Sequence, residues 1–121
     1  MTAPIDRERP WSWHLIRVSG LVLALLAPLH FVNAHILNDT ALSTGGRIAV
    51  RWQNPVWRAL DWAFLALALL HGGLGLRALA VGLAGPNRPL IRTSVTVIIV
   101  AVTAVLMTIA TLVTFTYEIT L

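Results

Sequence analysis

The chain has 121 residues, 57% of them hydrophobic and only 12% charged, with a formal net charge of +4. A mean hydropathy of +0.78 excludes a soluble domain of this size, whose helices would each need a polar face. The lack of cysteine excludes a cysteine-ligated iron–sulfur cluster, a covalently attached c-type haem and any disulfide within this chain.

Residues 1–10 are polar, with Asp6, Arg7, Glu8 and Arg9. No apolar core of signal-peptide length with a small-residue cleavage site follows, so they read as a short tail. Trp11 and Trp13 beside Arg17 form an interfacial belt. A first membrane span is predicted over residues 18–37. Pro28 removes a backbone donor from it and predicts a kink. His30, Asn33 and His35 make one side of this span too polar for lipid, so that side must face protein, cofactor or water.

Residues 38–58 read as a polar loop lying along the interface, with a short helix before Asn54-Pro55. The second span is predicted over residues 56–81. Near its start Asp61 is expected to pair with Arg58, three residues earlier on the same face. Gly85-Pro86-Asn87 and Pro89 then break the helix. The third span, predicted over residues 93–117, is rich in Val, Ile, Ala and Thr and reads as a packing helix whose threonines return hydrogen bonds to their own backbone. The expected fold is therefore all-α: an integral membrane protein forming one membrane-anchor domain over residues 1–121, with three transmembrane helices and a short interfacial segment between the first two.

All nine basic residues are arginine, and they flank the apolar runs. That is a topology signal, not a nucleic-acid surface. Arg7, Arg9, Arg17, Arg77, Arg88 and Arg92 fall on one side, against Arg47, Arg51 and Arg58 on the other. The bias predicts a cytoplasmic N-terminus and a C-terminus outside.

Residues 70–80, LHGGLGLRALA, place His71 within the second span. An ionisable residue there is a functional candidate by default. Gly75 follows one turn later on the same face and leaves room for a flat group; Arg77 comes next, at the expected surface. Haem is the flat group that takes a neutral imidazole as axial ligand. The alternative is that His71 hydrogen-bonds a neighbouring helix and the glycines are packing notches. Counted along helices, His71 lies roughly 9 Å from the level of Arg77, and His30 roughly 20 Å beyond Arg17. The two thus differ in depth by about 10 Å. Axial nitrogens stand only about 4 Å apart across an iron, with bonds near 2 Å. His30 and His71 of one chain are not expected to share a haem, and each would need a facing ligand from another chain. For His30 the alternative is to satisfy Asn33 or the kinked backbone near Pro28. His35 and His14 read as interfacial.

Arg17-Val-Ser19-Gly20, then His30, then His71-x-x-x-Gly75-x-Arg77 on the next span resemble the membrane-anchor subunits of succinate dehydrogenase and fumarate reductase. The likeness includes Arg51-Trp52-x-Asn54-Pro55-x-Trp57 and Val113-Thr-Phe115, and covers most of the chain. The loop and tail look more like a D-type than a C-type anchor, although Trp11-Ser-Trp13 is shared with C-type anchors. The resemblance implies a subunit of a succinate:quinone oxidoreductase in the bacterial inner membrane. Such a subunit partners a second membrane anchor, an iron–sulfur subunit and a flavoprotein, and itself carries no succinate chemistry. It implies haem b, one or two, with His71 as an axial ligand and His30 as the ligand of a second haem. Arg77, Arg17 and Gly75 would serve the cofactor, with Arg17 and Ser19 near the quinone. One departure is plain: where many anchors carry an Asp-Tyr pair beyond the second-span motif, this chain has Gly82-Leu83. The competing readings are a structural or assembly membrane protein and a stand-alone haem b protein.

Overall fold

Trp11 already lies in a helix that continues into the first span, because nothing between the two tryptophans and Val18 interrupts helical geometry. In a computed structural model, residues 11–37 and 46–116 are described. The expected N-terminal tail, residues 38–45 of the loop, and Tyr117 and Glu118 lie outside them.

Helix α1 spans Trp11–Phe31 and passes into a π-helical turn over Val32–Leu37. Pro28 sits inside α1 and supplies no N–H to the carbonyl one turn back. The π-helical turn begins one helical turn beyond Pro28. Helix α2, Gly46–Gln53, is the predicted interfacial segment.

Helix α3, Pro55–Ala84, starts where the sequence directs it. Asn54 is extended at φ −83° and ψ 115°, its side chain accepts from the Val56 N–H at 2.9 Å, and Pro55 occupies the first turn. Gly85 closes α3 at φ +79°, a left-handed backbone that favours glycine. Helix α4 spans Pro89–Thr116. The three long helices have 27, 30 and 28 residues, so each is roughly 40–45 Å long against a hydrocarbon core of about 30 Å. They outrun the predicted spans because their polar and aromatic flanks remain helical until Asn54-Pro55 or Gly85-Pro86 stops them.

Helix α3 is the middle of the molecule. It packs on α1, α2 and α4, whereas α1 and α4 do not meet among the described residues. The three spans thus form an open row with two broad faces. Most bulky apolar side chains look outward, including Leu21, Leu25, Leu79 and Val97; among the described residues only Ala34 is a buried hydrophobe. Lipid tails are as apolar as leucine, so helices associate here through close packing and polar contacts. Between α3 and α4, a Cβ on Gly73 would stand 3.3 Å from Ile99 and 3.4 Å from Thr103. Nearer the loop end, Trp62 Nε1 donates to Thr111 Oγ1 at 3.0 Å. The α4 threonines behave as predicted: Thr96, Thr108, Thr111 and Thr116 each donate to the carbonyl four residues back.

Candidate functional site

Two polar clusters lie at different levels between α1 and α3. The first is built on His71, which stands near the midpoint of α3, roughly 20 Å of helix from Ala84. It is therefore deeper than the count from Arg77 predicts, because α3 runs on past that arginine. Its Nδ1 lies 3.1 Å from the Ile16 carbonyl and 3.0 Å from Ser19 Oγ. A carbonyl only accepts, so Nδ1 carries the proton. Ser19 Oγ lies 2.5 Å from the Leu15 carbonyl, where its own proton goes, and a lone pair faces Nδ1–H. Nε2 is the ring nitrogen left for another partner.

Around His71 the expected site residues take distinct places. A Cβ on Gly75 would meet nothing within 4 Å, and the same holds for Gly72. Of the three glycines that follow His71 in α3, only Gly73 is an intrachain packing notch. Arg77 Nε donates to Thr96 Oγ1 at 2.8 Å, tying α3 to α4; that bond uses one of the five guanidinium N–H donors. Arg17 is exposed, its guanidinium 4.4 Å from the centre of the Trp13 ring. Gly82 and Leu83, at the positions of the departure, are both exposed.

The second cluster centres on Asp61, seven residues into α3. Its carboxylate binds Arg51 and accepts from Trp52 Nε1 at 3.1 Å. His30 Nδ1 is 3.5 Å away, with its ring stacked on Phe64 at 4.7 Å and 13°. The expected Asp61–Arg58 pair does not form. Arg58 instead donates through Nε and Nη2 to the Trp52 carbonyl at 3.0 and 2.6 Å. Packing of α2 on α3 brings Arg51 to the carboxylate, and the carbonyl at the end of α2 captures the fork of Arg58. A cavity of about 550 Å³ opens beside this cluster, lined by His30, Asn33, Arg51, Asp61, Trp57 and Phe64 among others. Arg51 Nε is buried there without a hydrogen-bond partner. His30 and His71 are thus held by different turns of α3, at levels roughly 10–15 Å apart. His35 is exposed and tilted against Phe31, and His14 is exposed and edge-on to Trp13.

The succinate dehydrogenase/fumarate reductase transmembrane subunit family matches residues 6–116. The chain belongs to this family. It is a multi-pass membrane subunit of a succinate dehydrogenase/fumarate reductase complex, and catalytic partner subunits follow from that membership. A comparison with curated proteins finds no match.

In this transmembrane subunit, Ser19, Gly20 and His71 come together, as do His30, Asp61, Arg51 and Trp52. Arg17 and Arg77 make no hydrogen bond to His71. Sequence reasoning missed the partnership of Ser19 with His71 and that of Arg51 with Asp61. A buried hydroxyl followed by glycine in an apolar span was the signal for the first. The second carried none, because it depends on how α2 folds back on α3. Among the described residues no three His, Cys, Asp or Glu side chains gather as a metal site; an axial haem ligand needs only one imidazole on each side of the iron.

Proposed function

We propose that this subunit is one of a pair of anchors that bind haem b and quinone in a succinate:quinone oxidoreductase of the bacterial inner membrane. It docks iron–sulfur and flavoprotein subunits and passes electrons from succinate to quinone. The arginine bias places its N-terminus in the cytoplasm and its C-terminus outside. The observation that carries the reading is the His71 imidazole, anchored at Nδ1 by the Ile16 carbonyl and Ser19 so that Nε2 is the nitrogen left over.

The residues fit the group. His71 would hold the iron through Nε2, as an imidazole whose other nitrogen is fixed by an outer partner does. Gly75 keeps the same helical face open one turn away. Arg77 and Arg17 are guanidinium donors for propionates, and exposed Arg17 is the donor for a quinone oxygen. When bound, haem b supplies a one-electron carrier. The second anchor would supply the other ligand.

A second haem is favoured by one observation at the other level. His30 has a carboxylate behind its Nδ1, the usual second partner of a metal-bound imidazole. It also lines a cavity within the 300–1,000 Å³ range of ligand sites.

The test is the absorbance spectrum of the purified complex. His71→Ala is expected to abolish or reshape the haem bands at the His71 level, while His30→Ala affects only a second haem at the His30 level. Wild-type bis-histidine absorbance per complex in His71→Ala overturns the reading.

A further inference from the structure

We infer that Ser19 and Gly20 are positioning residues for His71: together they seat the imidazole and fix its tautomer, so that Nε2 is the nitrogen presented to the iron. This rests on the haem reading above and assigns work to two residues that act through His71.

Ser19 is only 3% exposed in a chain whose described residues are mostly open to their surroundings. A buried hydroxyl in an apolar span needs its bonds made. It has one proton, directed to the Leu15 carbonyl at 2.5 Å, with the Ile16 carbonyl at 3.2 Å. What remains is acceptor capacity, and the group facing it is Nδ1–H of His71 at 3.0 Å. The Ile16 carbonyl, 3.1 Å from the same nitrogen, is the second acceptor. A nitrogen between two acceptors keeps its proton.

Gly20 supplies the space. A Cβ there would stand 2.9 Å from Cε1 of His71 and 3.5 Å from Nδ1, so any side chain displaces the ring. Serine and glycine therefore act as a pair, one holding the imidazole edge and the other admitting its flank. The Ser19 hydroxyl is turned toward His71, which gives it a role at the ligand. The short motif on α1 and the histidine motif on α3 become two halves of one contact.

Acceptors on Nδ1–H raise the basicity of a ligating imidazole, and a more basic ligand favours the ferric state. Removing one of them should do the reverse. In the purified complex, Ser19→Ala is expected to raise the haem midpoint potential and to weaken haem retention by about tenfold, the lower end of what loss of an outer-shell partner costs. Ser19→Thr, which keeps the hydroxyl, should restore both values. Gly20→Ala keeps the hydroxyl but moves the ring, and should shift the low-spin electron paramagnetic resonance signal without rescue by threonine at residue 19. If Ser19→Ala does not accumulate, Ser19→Cys decides, because a thiol is a weaker acceptor and must also raise the potential. Wild-type potential, retention and resonance signal in these variants overturn the inference. Failure of the haem reading is distinguished separately, by haem bands that survive in His71→Ala.

Discussion

Two ionisable side chains, His71 and Asp61, share one apolar helix, and each escapes the cost of burial in its own way. His71 spends its Nδ1–H on Ile16 and Ser19. Asp61 is partly buried and keeps company with a guanidinium, an indole N–H and the His30 ring. Breaking such a pair leaves a charge without its counterion, and that is worse than never having had the pair. Asp61→Asn keeps an acceptor for Trp52 but strands Arg51. We expect it to destabilise the purified complex by about 1–3 kcal/mol, below the fully buried limit because Asp61 retains some exposure. Thermal denaturation reads this out, and an unchanged melting temperature would show that the cluster is solvated. Haem bands assigned to His71 should survive the substitution, since that cluster is held by other turns.

Helix α3 carries three glycines in four residues, Gly72, Gly73 and Gly75, that look alike on paper. Only Gly73 lies against another helix, with Ile99 and Thr103 at contact distance; the Cβ positions of the other two face open space. A bulky side chain at 73 must therefore push α4 away, whereas an added methyl at 72 meets nothing within this chain. Gly73→Leu is expected to lower stability by about 1–3 kcal/mol, the usual cost of overpacking. Gly72→Ala should have no such cost. Comparing the thermal unfolding of the two variants tests the assignment: equal losses would mean that the notch is not at Gly73. The same logic distinguishes the ends of α3. Asn54, Pro55 and Gly85 act through local backbone geometry, so the boundaries of this helix are set by residues at its termini and not by what it packs against.

On the scale of the whole molecule, the open row α1–α3–α4 leaves both faces of the central helix partly uncovered. Its large side chains have no interior of their own to enter. Lipid tails can cover apolar surface, but they offer nothing to an imidazole nitrogen within the span. On the proposed reading, a second anchor completes the site. Expressed without one, this chain is expected to accumulate poorly or to lack haem, and co-expression should restore both. Haem content per chain in detergent-solubilised membranes measures this. A stable, haem-loaded homomer would contradict it.

The three spans, the interfacial α2, the stop at Gly85 and the candidacy of His71 were all legible in the amino-acid order. Each depends on local or one-dimensional quantities: run length, helix-breaking residues, caps and the expense of an ionisable group in hydrocarbon. The resemblance drawn from Arg17, Ser19, Gly20, His71, Gly75 and Arg77 held for the same reason, since the order of those residues is itself a sequence property. Only the tertiary structure decided who meets whom. Arg58 is closer to Asp61 in sequence than Arg51 is, yet Arg51 takes the carboxylate because α2 folds back on the start of α3. Ser19 and His71 are 52 residues apart, and no periodicity within either helix announces their contact. Their meeting follows from the antiparallel register of α1 on α3, which pairs Gly20 with an imidazole ring that no larger residue would admit. Helical sequence patterns report which side of a helix is apolar; they carry no information about rotation and register between two nearly uniformly apolar helices, and it is these that place a histidine against a serine.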